Sequence, residues 1–166
     1  MRPIAASLSN EESKSNAADK CIDGIQESDE DNICQSRDQL APWLAMDFGE
    51  GYEVAVESVF LYSTRDGNGF DRTSNVEIRI SDKLPTTGGE EEFTGGELLG
   101  TFEGPATRKQ TVSIVTKEGW KKKFGRFLVI QMNVGKETKT RINLKEVKAL
   151  GRIRLKCAPD FCYGGR

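Results

Sequence analysis

Histidine is absent from this chain. Ser-His-Asp and Cys-His nucleophilic systems need an imidazole to accept the proton, so both are excluded. The four cysteines, Cys21, Cys34, Cys157 and Cys162, contain no CxxC pair. With no histidine to complete a zinc site, they read as disulfide partners, in an oxidising compartment, or as buried free thiols. The three possible pairings stay open at this stage. Long apolar runs are also missing: nothing approaches the roughly 20 consecutive apolar residues that cross a bilayer. The opening Met1-Arg2-Pro3-Ile4 lacks the apolar stretch of a signal peptide, so a mature or trimmed chain, or a cytosolic one, is expected. Neither charge dominates, with 24 Lys plus Arg against 26 Asp plus Glu and a net charge of -2. Such a chain has no field to hold nucleic acid, and any polyanion site is a local patch.

What the 166 residues do contain is one domain's worth of short apolar runs separated by turn residues. Residues 1–40 are polar and read as loops, with a short helical turn near Ser15 to Lys20, so the core is expected to begin at Trp43. Leu44, Met46 and Phe48 share one face of a strand that Gly49-Glu50-Gly51 ends. Val54 to Tyr62 follows, and the loop Arg65-Asp66-Gly67-Asn68-Gly69 closes it. Val76, Ile78 and Ile80 alternate with Glu77 and Arg79, the clearest half-buried strand. Leu98 to Phe102 comes next, then Val112 with Ile114. Phe127 to Met132 is almost continuously apolar, as in a central strand covered on both faces, and Ile142 and Leu144 alternate again. About eight strands with little helix predict an all-β antiparallel β-sandwich or jelly roll over residues 1–151, followed by a Cys-containing tail over 152–166.

The order of these pieces resembles the galactose-binding-like jelly roll, and the F-type lectin (fucolectin) branch more than the discoidin or coagulation-factor type C branch. The matching stretches are Asn16-Ala17-Ala18 to Ile22-Asp23-Gly24, Cys34, and Pro42-Trp43-Leu44-Ala45-Met46-Asp47-Phe48. They continue with Val59 to Arg65, Arg72, Val76 to Ile80, Gly125-Arg126-Phe127-Leu128-Val129-Ile130, and Ile142 to Val147.

The resemblance implies two sites. The first is a structural calcium where an N-terminal loop meets the last strand, with Asp23 and Glu146 in the side-chain positions. The carbonyls of Lys20 and Ile25 and an oxygen from Asn32 complete the shell, since calcium takes six to eight oxygens. Glu146 continues the period of Ile142 and Leu144, which aims its carboxylate at the buried face or its edge, where a buried anion needs a partner. Otherwise Asp23 caps a turn and Glu146 pairs with a lysine.

The second implied site is for a sugar. Arg65 and Arg72 occupy the family's two basic positions, and an arginine fork suits paired sugar oxygens. Phe70 offers a face to a pyranose. The family's aspartate position holds Gly67, with Asp66 beside it, and the histidine position is taken by Ser36 or a neighbour. Losing a built-in hydrogen-bond donor changes or abolishes specificity.

One basic cluster, Lys121-Lys122-Lys123, stands next to Trp120 and is a candidate for sulfated polysaccharide, or else a solvated loop. The expected function is therefore an extracellular, secreted, non-enzymatic carbohydrate-binding module with an altered sugar site and calcium as a structural ion. The alternative is an adhesion or matrix domain that has lost fucose binding and contacts protein, sulfated glycan or a membrane surface.

Overall fold

Where apolar and polar residues alternate with period two, a strand turns one row of side chains inward, and two such sheets must face each other to bury them. The computed structural model of this protein describes residues 1–25, 32–64, 72–107, 110–116 and 123–156. It shows two antiparallel sheets built from β1 (Ala5–Leu8), β2 (Cys34–Gln35), β3 (Trp43–Asp47), β4 (Tyr52–Ser63), β5 (Val76–Ser81), β6 (Glu97–Phe102), β7 (Thr111–Val115), β8 (Phe127–Gln131) and β9 (Asn143–Leu155). Five strands pair in the order β1-β3-β8-β5-β6 and four in the order β2-β9-β4-β7. The core between the sheets holds the alternating residues expected there, including Leu44, Met46, Phe48, Ile78, Ile80, Val112, Ile114 and Leu144.

Three expectations need correction. The core begins well before Trp43. Leu8 on β1, Ala18 and Cys21 in the second of two short 3-10 turns (Lys14–Asn16 and Ala18–Cys21), and Cys34 on β2 all pack into it. The polar composition of residues 1–40 hid this, because a two-to-four-residue edge strand carries too few side chains to show a period.

The last strand also runs past residue 151. Leu155 still pairs with Tyr52, so the sheet extends into the stretch read as tail. Cys157 and Cys162 lie outside the described residues.

Glu146, finally, does not continue the inward row of Leu144. The register shifts opposite Tyr62 and Ser63, so Leu144 faces Ser63 while Glu146 faces Tyr62, and from there Val147 and Ala149 point into the core. A β-bulge of this kind swaps the faces of every residue after it. Glu146 thereby joins Lys148 on the other face, where the Ile22–Gly24 segment covers it and leaves it 3% exposed.

The apolar run 127–131 is fully buried, as a central strand should be. One face meets the core; the other is covered by residues 82–96. This segment crosses the outside of the five-stranded sheet, over Trp43, Ala45, Phe127 and Val129, with Phe93 packed on them. The Trp43 indole donates to Thr87 O at 2.7 Å, the Gln39 side-chain amide donates to Gly88 O, and Ala41 N donates to Gly89 O at 2.8 Å.

Gly89 has a φ of +83°, and a Cβ there would lie 2.3 Å from Gln39 Nε2, whereas a Cβ on Gly88 would meet nothing within 4 Å. Gly89→Ala is therefore expected to cost about 2 kcal/mol in thermal or urea unfolding. Gly88→Ala is expected to be close to neutral. Equal effects from the two would contradict this account of the segment.

Candidate functional site

The chain order sends β2, β4, β6 and β8 toward one end of the sandwich. The loops that leave there, 36–42, 64–75, 103–110 and 132–142, share that end with the start of β9. Two of them are tied together by backbone. Gln39 N donates to Thr140 O at 2.7 Å and Thr140 N returns a bond to Gln39 O at 2.8 Å. Asn133 donates its side-chain amide to Leu40 O at 2.9 Å and to Thr138 O.

On this scaffold the structure assembles a constellation that no sequence spacing announces. Arg141 donates from Nε to Asp38 Oδ1 at 2.7 Å and from Nη2 to Asp38 Oδ2 at 2.5 Å, a two-pronged pair. Its Nη1 reaches Glu12 Oε1 at 3.1 Å. The hydrogen bonds from Arg141 hold the Asp38 carboxyl below its ordinary range, and the charges of Arg141, Arg72 and Lys139 add to that. Three cations from two loops thus bear on one carboxylate. Arg72 is half-buried; its carbonyl accepts from Ser74 N at 2.9 Å, and its side chain makes no ion pair or hydrogen bond among the described residues.

Close to the ends of the 65–71 segment sit three buried oxygens without a hydrogen-bond partner: Thr64 Oγ1, Thr73 Oγ1 and Asn143 Oδ1. Buried polar atoms are normally paired, so such a concentration marks a place built for something polar.

The residues expected to bind sugar fare differently from one another. Arg65, Asp66 and Phe70 lie outside the described residues. Arg72 is at the loop end. Ser36 is fully buried, and its hydroxyl is engaged inside the fold, donating to Arg37 O at 3.0 Å and accepting from Ile142 N at 2.9 Å. Its neighbours Arg37 and Asp38 are the exposed ones. Asp38 and Arg141 went unnoticed in the sequence because they are 103 positions apart.

At the flank of the four-stranded sheet, Asp23 and Glu146 do come together. Glu146 Oε2 accepts from Gly24 N at 3.0 Å. Asp23 Oδ1 accepts from Ile25 N at 2.8 Å, and its Oδ2 accepts from Asn32 Nδ2 at 2.8 Å. Burial pushes the Glu146 carboxyl up to about 7, and the neighbouring Asp23 carboxylate, within hydrogen-bonding reach, pushes the same way; Gly24 N–H and Lys148 act against them.

The pair borders a cleft of about 290 Å³ lined also by Ile22, Gly24 and Lys148. Among the described residues no third His, Cys, Asp or Glu joins it. Cys21 and Cys34 are disulfide-bonded, closing the loop that carries Asp23, Ile25 and Asn32, with Cα atoms 5.3 Å apart. Of the three lysines considered for sulfated polysaccharide, Lys121 and Lys122 lie outside the described residues and Lys123 is paired with Glu97.

No family model matches this sequence, and no curated protein matches it. Solved structures do match the fold. An F-lectin (fucolectin) from striped bass (Morone saxatilis) serum superposes with a TM-score of 0.71 at 23% identity over 89% of this chain. The chain spans only 46% of that lectin's length. The lectin domain of lectinolysin, solved with Lewis b antigen, gives 0.66 at 19% identity and covers 91% of this chain and 94% of its own. The family 32 carbohydrate-binding module of NanJ from C. perfringens, solved with galactose, gives 0.61 at 15% identity, covering 90% and 93%. The fold is therefore the β-sandwich of F-type lectins and galactose-binding modules, as the motif order in the sequence implied.

Proposed function

We propose that this chain is an extracellular carbohydrate-binding module that holds a sugar at the loop end of the sandwich, around Arg72, and catalyses nothing. The observation that carries the reading is Arg72 itself. A half-buried guanidinium with no ion-pair partner among the described residues, whose charge bears on a half-exposed carboxylate in a fold shared with sugar-binding proteins, is suited to hydroxyl oxygens. The buried, unpartnered oxygens of Thr64, Thr73 and Asn143 belong to the same end of the sandwich. The Cys21–Cys34 disulfide favours an oxidising, extracellular setting.

Calcium belongs to this proposal as a structural ion. Two converging carboxylates, one of them buried, repel each other unless a proton or a cation lies between them, and a hard cation relieves that repulsion with oxygen ligands alone. Asp23 and Glu146 fit as side-chain ligands, the carbonyls of Lys20 and Ile25 and an oxygen of Asn32 as the remainder. Bound there, calcium supplies fixed positive charge that fastens the 22–33 loop to β9. The bulge before Glu146 and the disulfide are what this chain itself contributes to that fastening.

Binding to an array of fucosylated and galactosylated glycans tests the sugar site. Wild type is expected to be retained on a subset of neutral glycans, and Arg72→Ala to lower that retention at least tenfold with an unchanged melting temperature. Silence on every glycan, together with salt-sensitive retention on heparin, would instead favour the adhesion reading.

A further inference from the structure

We propose that Asp38 is the acceptor half of the sugar site: its carboxylate, oriented by Arg141 and within the field of Arg72, receives the protons of two adjacent hydroxyls on a neutral pyranose. The inference deepens the lectin reading and rests on it.

Four observations bear on this. The backbone on both sides of Asp38 is fixed, since Arg37 N donates to Asn10 O at 2.9 Å and Gln39 is joined to Thr140 in both directions. The Gln39 side chain is itself buried, held by Ser9 and Gly88. Second, Arg141 is clamped by two acids at once, Asp38 and Glu12, so its fork cannot swing. A group held this way loses little conformational freedom when a ligand arrives.

Third, each Asp38 oxygen accepts a single bond from Arg141, and a carboxylate oxygen has room for a second donor. The Asp38 side chain is 52% exposed while that of Arg141 is only 20% exposed, so the free acceptor capacity lies on the open side. Fourth, the charge of Arg72 bears on the same carboxylate, and its guanidinium makes no ion pair among the described residues.

A carboxylate acceptor and a guanidinium donor at the same loop end match what a pair of vicinal hydroxyls offers. Each hydroxyl donates one hydrogen and accepts another, so both can donate to Asp38 while accepting from Arg72. An acidic sugar fits worse. Its own carboxylate would approach Asp38, Arg141 is already committed to two acids, and Lys139 stands 3.6 Å from Glu90. The role is one that no imidazole can fill here, because the chain has none.

Titration calorimetry of the full chain against L-fucose, D-galactose and N-acetylneuraminic acid, in calcium, tests the inference. A neutral sugar is expected to bind, N-acetylneuraminic acid to bind at least tenfold more weakly, and Asp38→Asn to weaken the neutral sugar at least tenfold. Monodeoxy analogues of the bound sugar examine the wild-type protein directly. Removing either of one adjacent pair of hydroxyls is expected to weaken binding at least tenfold, whatever the variant does to folding. If Asp38→Asn binds as wild type while Arg72→Ala does not, or if the acidic sugar binds best, the role of Asp38 is wrong and the lectin reading survives. If wild type binds no glycan of any kind, the lectin reading itself fails and takes this inference with it.

Discussion

In chelator, raising the pH from 5 to 8 is expected to lower the melting temperature of this protein, and calcium added at pH 8 is expected to restore it. Both effects come from Glu146. Folded, this carboxyl holds its proton up to about pH 7, against an ordinary value of 4.5, because it is buried and stands next to Asp23. Between those two values the unfolded chain has released the proton and the folded one has not. Stability therefore falls as pH rises through that window and levels off above it.

Calcium reverses the trend, since it binds the deprotonated carboxylate and competes with the proton. Its effect is expected to be small at pH 5 and full at pH 8. At a hundredfold excess over Kd the gain is about 2.7 kcal/mol, or roughly 5–10 °C in a domain of this size. Glu146→Gln carries no titrating proton and one ligand fewer. It is expected to abolish both the pH slope in chelator and most of the calcium shift. Melting curves at pH 5 and pH 8, with calcium and with chelator, check all of this, and a wild-type curve indifferent to chelation at pH 8 would remove calcium from the proposal.

Opening the Cys21–Cys34 bond is expected to cost about as much. The two sulfurs are fully buried, and the bond closes a loop with a sequence separation of 13. Loop-closure entropy for that length is about 3 kcal/mol. The double variant Cys21→Ala with Cys34→Ala is expected to melt roughly 6–12 °C lower. Because the same loop carries Asp23, Ile25 and Asn32, the variant is expected to lose most of its calcium response as well. A double variant that melts within 2 °C of wild type would mean that packing of Ala18, Cys21 and Leu8 fixes the N-terminal segment without the covalent tie.

The sandwich was legible in the sequence because period two is a local signal. Val76, Ile78 and Ile80, or Leu44, Met46 and Phe48, announce a buried face without reference to anything distant, and all of them are in the core. The continuous apolar run 127–131 announced its central position for the same reason. The N-terminal strands escaped notice because Ala5–Leu8 and Cys34–Gln35 are too short to show a period; only their partners β3 and β9 define them as strands.

The sites divide along the same line. Composition excluded histidine chemistry, and the order of motifs carried the fold and the Asp23–Glu146 pairing. Which face Glu146 occupies was decided by a bulge opposite Tyr62 and Ser63, a feature of pairing that one strand's sequence cannot encode. The same holds for Asp38, Arg141 and Glu12, brought together from positions up to 129 apart by loops meeting at one end. Alternation acts between neighbours along the chain and can be read there. Convergence of charges depends on how the sheets close, and only the folded molecule decides it.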